Sequence, residues 1–284
     1  MIYALVFFAV IIRIFTNSAT NVFQKRLAEN GESPAVINFL VYFILTLPAV
    51  PIILCNKTFI PSKEFFIYAV LGGVCGAVCN CFMVLALERG QLSVLGPINS
   101  YKAIIGLLFG MIILKEFPSI YGLAGMLLII FGTYFIFDKP ADFFKKDILY
   151  RFLALIFSAM EAVFIKKVIL LSSISISFAV SSILGALFSF VIYKVFSKNN
   201  FSLREKLMKS DLWNTAICFG VMTFVTAFVF KFMNVGYALS LFQISVILNV
   251  FLGYKLFREQ NLRKKLAGSV IILIGSTMII LLGH

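Results

Sequence analysis

Between Ala86 and Ile136 the chain reads ALERGQLSVLGPINSYKAIIGLLFGMIILKEFPSIYGLAGMLLIIFGTYFI, and much of that pattern returns near the C-terminus. Gly110, Lys115-Glu116, Leu123-Ala124-Gly125 and Gly132 recur as Gly253, Arg258-Glu259, Leu266-Ala267-Gly268 and Gly275, all at a spacing of 143 residues. A weaker match sets Val22-Phe23 and Lys25-Arg26 against Val163-Phe164 and Lys166-Lys167, 141 residues apart. Repetition at half the chain length restricts the fold to two copies of one unit.

Composition says where that unit resides. With 61% hydrophobic and only 13% charged residues and a mean hydropathy of +1.03, the chain is too apolar to hide its side chains in one soluble core. It reads as an all-α integral membrane protein. A hydrocarbon layer about 30 Å thick takes about 20 helical residues per crossing, so 284 residues with short joints hold about ten spans and no separate soluble domain. The first segment lacks a basic leader region and a small-residue cleavage site, and reads as a retained span rather than a signal peptide.

The apolar blocks predict spans at Ile2–Phe23, Ala35–Leu54, Phe65–Leu87, Leu92–Leu114 and Ile120–Phe137, then at Ile148–Val168, Ile174–Phe196, Leu212–Phe232, Gly236–Phe257 and Leu266–Leu282. The polar stretch Asp138–Asp147 is the seam, which leaves one five-helix repeat at 1–137, a joint at 138–147 and a second repeat at 148–284. Five is odd. The second copy therefore starts from the opposite side of the bilayer, and the halves are two inverted five-helix repeats that can exchange roles by rocking around a midplane cavity.

The formal charge of +13 lies mostly between apolar blocks, where it meets lipid headgroups and sets orientation, so the partner it implies is the bilayer and not nucleic acid. Cys55, Cys75, Cys79, Cys81 and Cys218 are odd in number and mostly inside spans, which gives no disulfide framework. Cys75 and Cys79 share a helix face without a His or carboxylate beside them, so no metal site is read.

An ALERG-type end to the third span, a Pro early in the fourth, a Lys-Glu or Arg-Glu doublet ending the fourth and ninth, and a LAG...G pattern in the fifth and tenth resemble the drug/metabolite transporter superfamily, EamA type. The resemblance covers nearly the whole chain. It implies ten helices in two inverted repeats, a central cavity, and transport of amino acids, sugar derivatives, other metabolites or drugs, often outward. The sequence departs from internal symmetry at Pro97, whose counterpart in the ninth span is Ser240, or Gln243 on a shifted alignment.

Polar residues inside the spans carry the chemistry. In the first span Arg13, Thr16, Asn17, Thr20 and Gln24 fall in one narrow arc. A central Arg costs at least about 2.5–3.5 kcal/mol in a bilayer unless it finds water or an acceptor, so the stripe faces a cavity or a partner in the bundle. Asn99, Lys102, Gly106 and Gly110 share a face of the fourth span. There the glycines permit close helix approach, and Pro97 removes a backbone hydrogen bond and invites a kink. This makes Pro97, Gly106, Gly110 and Gly253 the gating or packing positions. Glu161 is the one carboxylate well inside a span; it is expected to pair with Lys102 or Arg13, or else to carry a coupling proton. Thr223, Thr226 and Asn234 share a face of the eighth span with Lys231 at its margin, and Ser245, Asn249 and Gly253 form a thin stripe in the ninth with Gln243 placed elsewhere on that helix. Glu116 and Glu259 read as headgroup-level turn residues, and Glu88-Arg89 as the tight joint between the third and fourth spans.

Enzyme chemistry lacks its parts. The only histidine is His284, and no Gly-rich phosphate loop precedes a Lys-Ser or Lys-Thr pair, so neither a His-based site nor an ATPase motor is present. No cofactor is expected. Orientation stays open: Lys and Arg crowd the joints that place both termini outside, whereas the resemblance implies cytoplasmic termini.

The reading is a secondary or facilitative transporter in the cell membrane, plasma or bacterial inner, that exports a small organic solute by alternating access, as a monomer or homodimer. The excess of buried cations Arg13, Lys102 and Lys231 over Glu161 favours an amino acid or related carboxylate. Export of lipophilic cations is the alternative within the class. A non-transporting scaffold or assembly protein is the alternative outside it.

Overall fold

A computed structural model describes residues 2–56, 59–102, 104–105, 119–137, 143–196, 202–233 and 235–282. Gly106, Gly110, Lys115, Glu116, Asn234, His284 and part of the 138–147 joint lie outside them. Among the described residues every regular element is a helix: α1 Ile2–Glu29, α2 Pro34–Cys55, α3 Lys63–Arg89, α4 Leu92–Ile98, α5 Ile120–Tyr134, α6 Lys146–Leu170, α7 Ile174–Phe196, the short α8 Leu203–Leu207, α9 Ser210–Phe232, α10 Val235–Phe242, α11 Ser245–Phe257 and α12 Leu262–Leu282. Six of these, α1, α2, α3, α6, α7 and α9, are long and apolar enough to cross a bilayer.

The ends follow local rules. Ser62 and Ser119 accept hydrogen bonds from the backbone N–H of Phe65 and Gly122, both at 3.2 Å, and so cap α3 and α5. Pro34 opens α2, where its missing N–H is no loss. Gly31 at φ +81° turns the chain out of α1, in the left-handed region that glycine occupies without strain. α1 nevertheless runs past the expected end at Phe23, because Gln24 and Lys25 find partners inside the protein.

Helices of one half pack on helices of the other. α3 lies on α6 and α1 on α9, α2 on α7, α4 on α11 and α5 on α12. The α5–α12 contact is built from the repeated glycines. A Cβ on Gly125 would fall 2.6 Å from the carbonyl oxygen of Gly275, and one on Gly275 would fall 2.6 Å from that of Gly125. Gly132 and Gly268 face each other the same way, at 2.9 and 2.7 Å. Each glycine thus meets the repeat counterpart of the other, the two helices run antiparallel, and only the absence of a side chain lets the backbones approach so closely. Ile129 and Ile136 close the same seam against Ile272 and Ile279, their own counterparts.

The fourth and ninth spans are not the continuous helices expected. After α4 the amides of Asn99, Ser100 and Lys102 bond three residues back, to Gly96, Pro97 and Asn99. Between α10 and α11 the amides of Ile244, Val246 and Ile247 do the same, to Leu241, Gln243 and Ile244. Both spans tighten into a 3₁₀ turn, at 99–100 and at 243–244, with Ser100 and Gln243, 143 residues apart, in hydrogen-bond contact at 3.2 Å. The ninth span needs no proline for this. Ser245 donates its hydroxyl to the Phe242 carbonyl at 2.7 Å, a local bond that competes with the helix ladder.

Candidate functional site

A cavity of about 150 Å³ lies between the halves. Arg13, Asn17 and Thr20 of α1 border it, with Asn99 and Lys102 from the broken fourth span, Glu161 of α6 and Thr223 of α9. Tyr42, Phe219, Phe230 and Phe242 supply its apolar wall. The remaining expected residues stand behind the lining. Thr16 donates to the Ile12 carbonyl of its own helix at 2.8 Å. Ser245 is buried against α1, where Asn17 reaches it at 3.4 Å. Asn249 packs on Gly96, Pro97 is buried within α4, and Gly253 sits against Glu259 and the Ser93 amide. Lys231 is exposed and does not face the cavity, which corrects its inclusion among the buried cations.

Its place is taken by Arg151. This side chain is 8% exposed and donates from Nε to the Leu95 carbonyl at 3.0 Å and from Nη2 to Asn99 Oδ1 at 2.8 Å. Asn99 in turn donates to Gln243 Oε1 at 3.1 Å, so Gln243 borders the cavity rather than sitting elsewhere on its helix. A second chain runs through Gln24, Asn80 and Asn38, with Gln24 Nε2 to Asn80 Oδ1 at 2.9 Å, Asn80 Nδ2 to Asn38 Oδ1 at 2.7 Å, and Asn38 Nδ2 to the Ala77 carbonyl at 2.9 Å. These linked amides hold α1, α2 and α3 in register.

The charged groups are paired unevenly. Lys102 Nζ donates to Ser158 Oγ at 2.6 Å. Arg13 stacks on the Phe242 ring, with Cζ 4.2 Å from the centroid, while its Nε and Nη1 are buried without a hydrogen-bond partner among the described residues. Glu161 forms no ion pair with Lys102 or Arg13, contrary to expectation. It rests instead against Gly76, whose missing Cβ would lie 2.6 Å from Oε1.

Directly after Gln24 of the cavity lining comes a buried ion pair. Lys25 Nζ lies 2.9 Å from Glu259 Oε1 and 2.9 Å from the Gly90 carbonyl. The Glu259 carboxylate also accepts the Leu92 and Ser93 amides at 2.7 and 2.8 Å, capping the N-terminus of α4. Glu259 is therefore turned into the protein rather than toward headgroups; only 7% of it is exposed. Burial alone would raise its carboxyl pKa, but the Lys25 charge and the hydrogen bonds from Ser93 and Lys25 outweigh that and hold it below the usual carboxylate range. Lys166, the repeat counterpart of Lys25, donates to the carbonyls of Phe230 and Met233 where α9 ends.

The fold and site define a multi-pass helical membrane protein with a polar, cation-rich chamber between packed halves. Residues 4–138 match the model of the EamA-like transporter family, a family of the drug/metabolite transporter superfamily. A solved structure described only as "Crystal structure of protein" is similar over 95% of this chain and 96% of its own, with a TM-score of 0.64 at 12% identity, a likeness of fold alone. No curated protein matches the sequence.

Proposed function

We propose that the chain is a secondary or facilitative carrier, an exporter in the cell membrane that moves a small carboxylate-bearing solute, an amino acid or a relative, through the chamber by alternating access. Ten spans in two inverted five-helix halves, 1–137 and 148–284 joined at 138–147, form the moving parts. The reciprocal glycine contacts of the antiparallel α5 and α12 and the paired 3₁₀ turns support this reading. Discontinuous helices meeting at mid-depth are a recurrent way to build a carrier site.

The observation that carries the substrate class is Arg13. Two buried donors with no partner, beside Lys102 and Arg151, form a site that a carboxylate completes by charge-assisted hydrogen bonds. The volume accommodates roughly ten water-sized groups, the size of an amino acid. In reconstituted vesicles Arg13→Ala and Lys102→Ala are each expected to lower carboxylate flux about tenfold or more, the loss of one charge-assisted bond, with the folded protein still abundant. Unchanged flux in both contradicts the assignment.

A second reading is favoured by the unpaired Glu161: export of lipophilic cations, with that carboxylate as their counter-charge. Under it Glu161→Gln removes dye efflux while Arg13→Ala leaves it intact.

A further inference from the structure

Contacts that line the cavity fall at matching places of the repeated pattern. Lys102 meets Ser158 at 2.6 Å and Asn17 meets Ser245 at 3.4 Å; Lys102 and Ser245 are 143 residues apart, Asn17 and Ser158 141. The arginines follow the same plan. Arg13 of α1 stacks on Phe242, Arg151 of α6 bonds to Asn99, and Asn99 and Phe242 are again 143 residues apart. At the spacing of 141 that relates α1 to α6, Arg13 falls on Ala154, one helical turn from Arg151, so only the contacts reveal the correspondence. α1 and α6 each set one guanidinium against the shared cavity.

The two guanidiniums stand at different levels. The fourth and ninth spans run antiparallel, with Ser93 beside Gly253, Gly96 beside Asn249 and Ser100 beside Gln243. In that register Phe242 lies about four residues from the level of Asn99, roughly 6–8 Å at a helical or 3₁₀ rise. Both arginines keep donors in hand. Arg13 Nε and Nη1 have no partner among the described residues. Arg151 gives three N–H groups to Leu95, Met83 and Asn99, which leaves one on each terminal nitrogen.

Charge decides what such a pair can hold. The lining carries three cations, Arg13, Lys102 and Arg151, against the single carboxylate of Glu161, and none of the four belongs to an ion pair among the described residues. Lys102 lies within electrostatic range of Glu161 and of both arginines; setting Lys102 against Glu161 leaves the surplus on the arginines. Buried charge without a counter-charge is costly. A monocarboxylate answers one arginine only. A dicarboxylate answers both: C–C bonds of about 1.5 Å put the carboxyl carbons of an acid of about four to six carbons roughly 4–6 Å apart, and a charge-assisted bond of about 2.8 Å at each end extends the reach. Its non-hydrogen atoms, about eight to ten, match the roughly ten water-sized groups that a cavity of about 150 Å³ accommodates.

We infer that the solute is a short dicarboxylate with a carboxylate at each end, one on Arg13 and the other on Arg151, with Lys102 alongside. This rests on the carboxylate reading above and narrows it. Two like ends suit a cavity whose two arginines occupy like places. An acidic amino acid belongs to the same class, with an ammonium whose charge Glu161 matches.

The test is the melting temperature of the purified full chain at about pH 7.5, where carboxyls of ordinary pKa, about 4, are ionised, in choline chloride at constant ionic strength. Succinate, glutarate and adipate are compared with butyrate, pentanoate and hexanoate. At least one diacid is expected to raise the melting temperature by a few degrees, at about a tenth or less of the concentration its monoacid needs for the same rise. Arg13→Gln and Arg151→Gln are each expected to reduce the diacid response to that of the monoacid in wild type. If Arg151 serves structure alone, Arg151→Gln melts lower without ligand yet keeps the full diacid response, and the inference falls. It falls as well if no diacid shifts the melt, or if each monoacid at twice the concentration matches its diacid, as separate anion sites would have it. Where a variant does not fold, the wild-type series decides by itself. The carrier reading fails separately: a diacid that binds but does not cross vesicle membranes overturns that reading and leaves this inference, whereas monoacids bound and moved as well as diacids do the reverse.

Discussion

Glu259 and Lys25 show how far one residue's environment departs from its place in the chain. Glu259 closes a buried pair and caps α4 at once, so removing it strands a buried ammonium and two backbone donors. Glu259→Gln is expected to cost on the order of 3–5 kcal/mol near neutral pH, read as a loss of melting temperature and of expression. The pH dependence has a definite sign. The folded pKa lies below the unfolded one, so the contribution is fully present above the ordinary carboxyl range and fades as pH falls through the folded value. The gap between wild type and Glu259→Gln therefore closes in acid; a gap that widens there contradicts the pairing. Glu32, held below its usual range because Lys206 and Lys209 outweigh its burial, behaves in the same direction. Sequence alone placed Glu259 at the headgroups because an Arg-Glu doublet after an apolar run resembles an interfacial turn. Arg151 escaped notice for a like reason: a basic residue one turn past Lys145-Lys146 reads as flanking charge. Only the packing of α6 against α4 draws it inward.

At the scale of the element, the glycine seam was legible because its spacing repeats, whereas the phase of the ninth span was not. Counting 100° per residue through a continuous helix turns Gln243 away from the polar stripe. The 3₁₀ turn resets the phase and brings it to Asn99 and Ser100. The seam itself is testable. Gly125→Leu or Gly268→Leu drives a side chain into a backbone carbonyl at 2.6 or 2.7 Å, which cannot yield as a side chain would. Either is expected to destabilise by about 1–3 kcal/mol or more. Gly31→Leu, where no atom lies within 4 Å, has only the strain of its positive φ and is the control. Equal losses at the seam and at the exposed turn would show that the close approach does not govern stability.

For the whole molecule, the repeated motifs led to the expectation of two similar halves, and composition to that of a membrane protein. What sequence could not show is where they touch, because contacts such as α1 with α9 and α3 with α6 join residues from opposite halves. Those contacts set the cavity between the copies rather than within either. The Lys25–Glu259 pair lies next to Gln24 of the lining, and Lys166, the repeat counterpart of Lys25, bonds the end of α9. In the carrier reading the two ends of the cavity open in turn. The most direct measurement is labelling of Asn17→Cys, on the cavity wall, in a chain whose five native cysteines are replaced by serine, with a membrane-impermeant maleimide applied to either face of sealed vesicles. The account predicts labelling from each face, with Lys25→Ala raising the rate from the side where α1 ends. A cysteine that reacts from neither face, with or without Lys25, would mean that the chamber never opens.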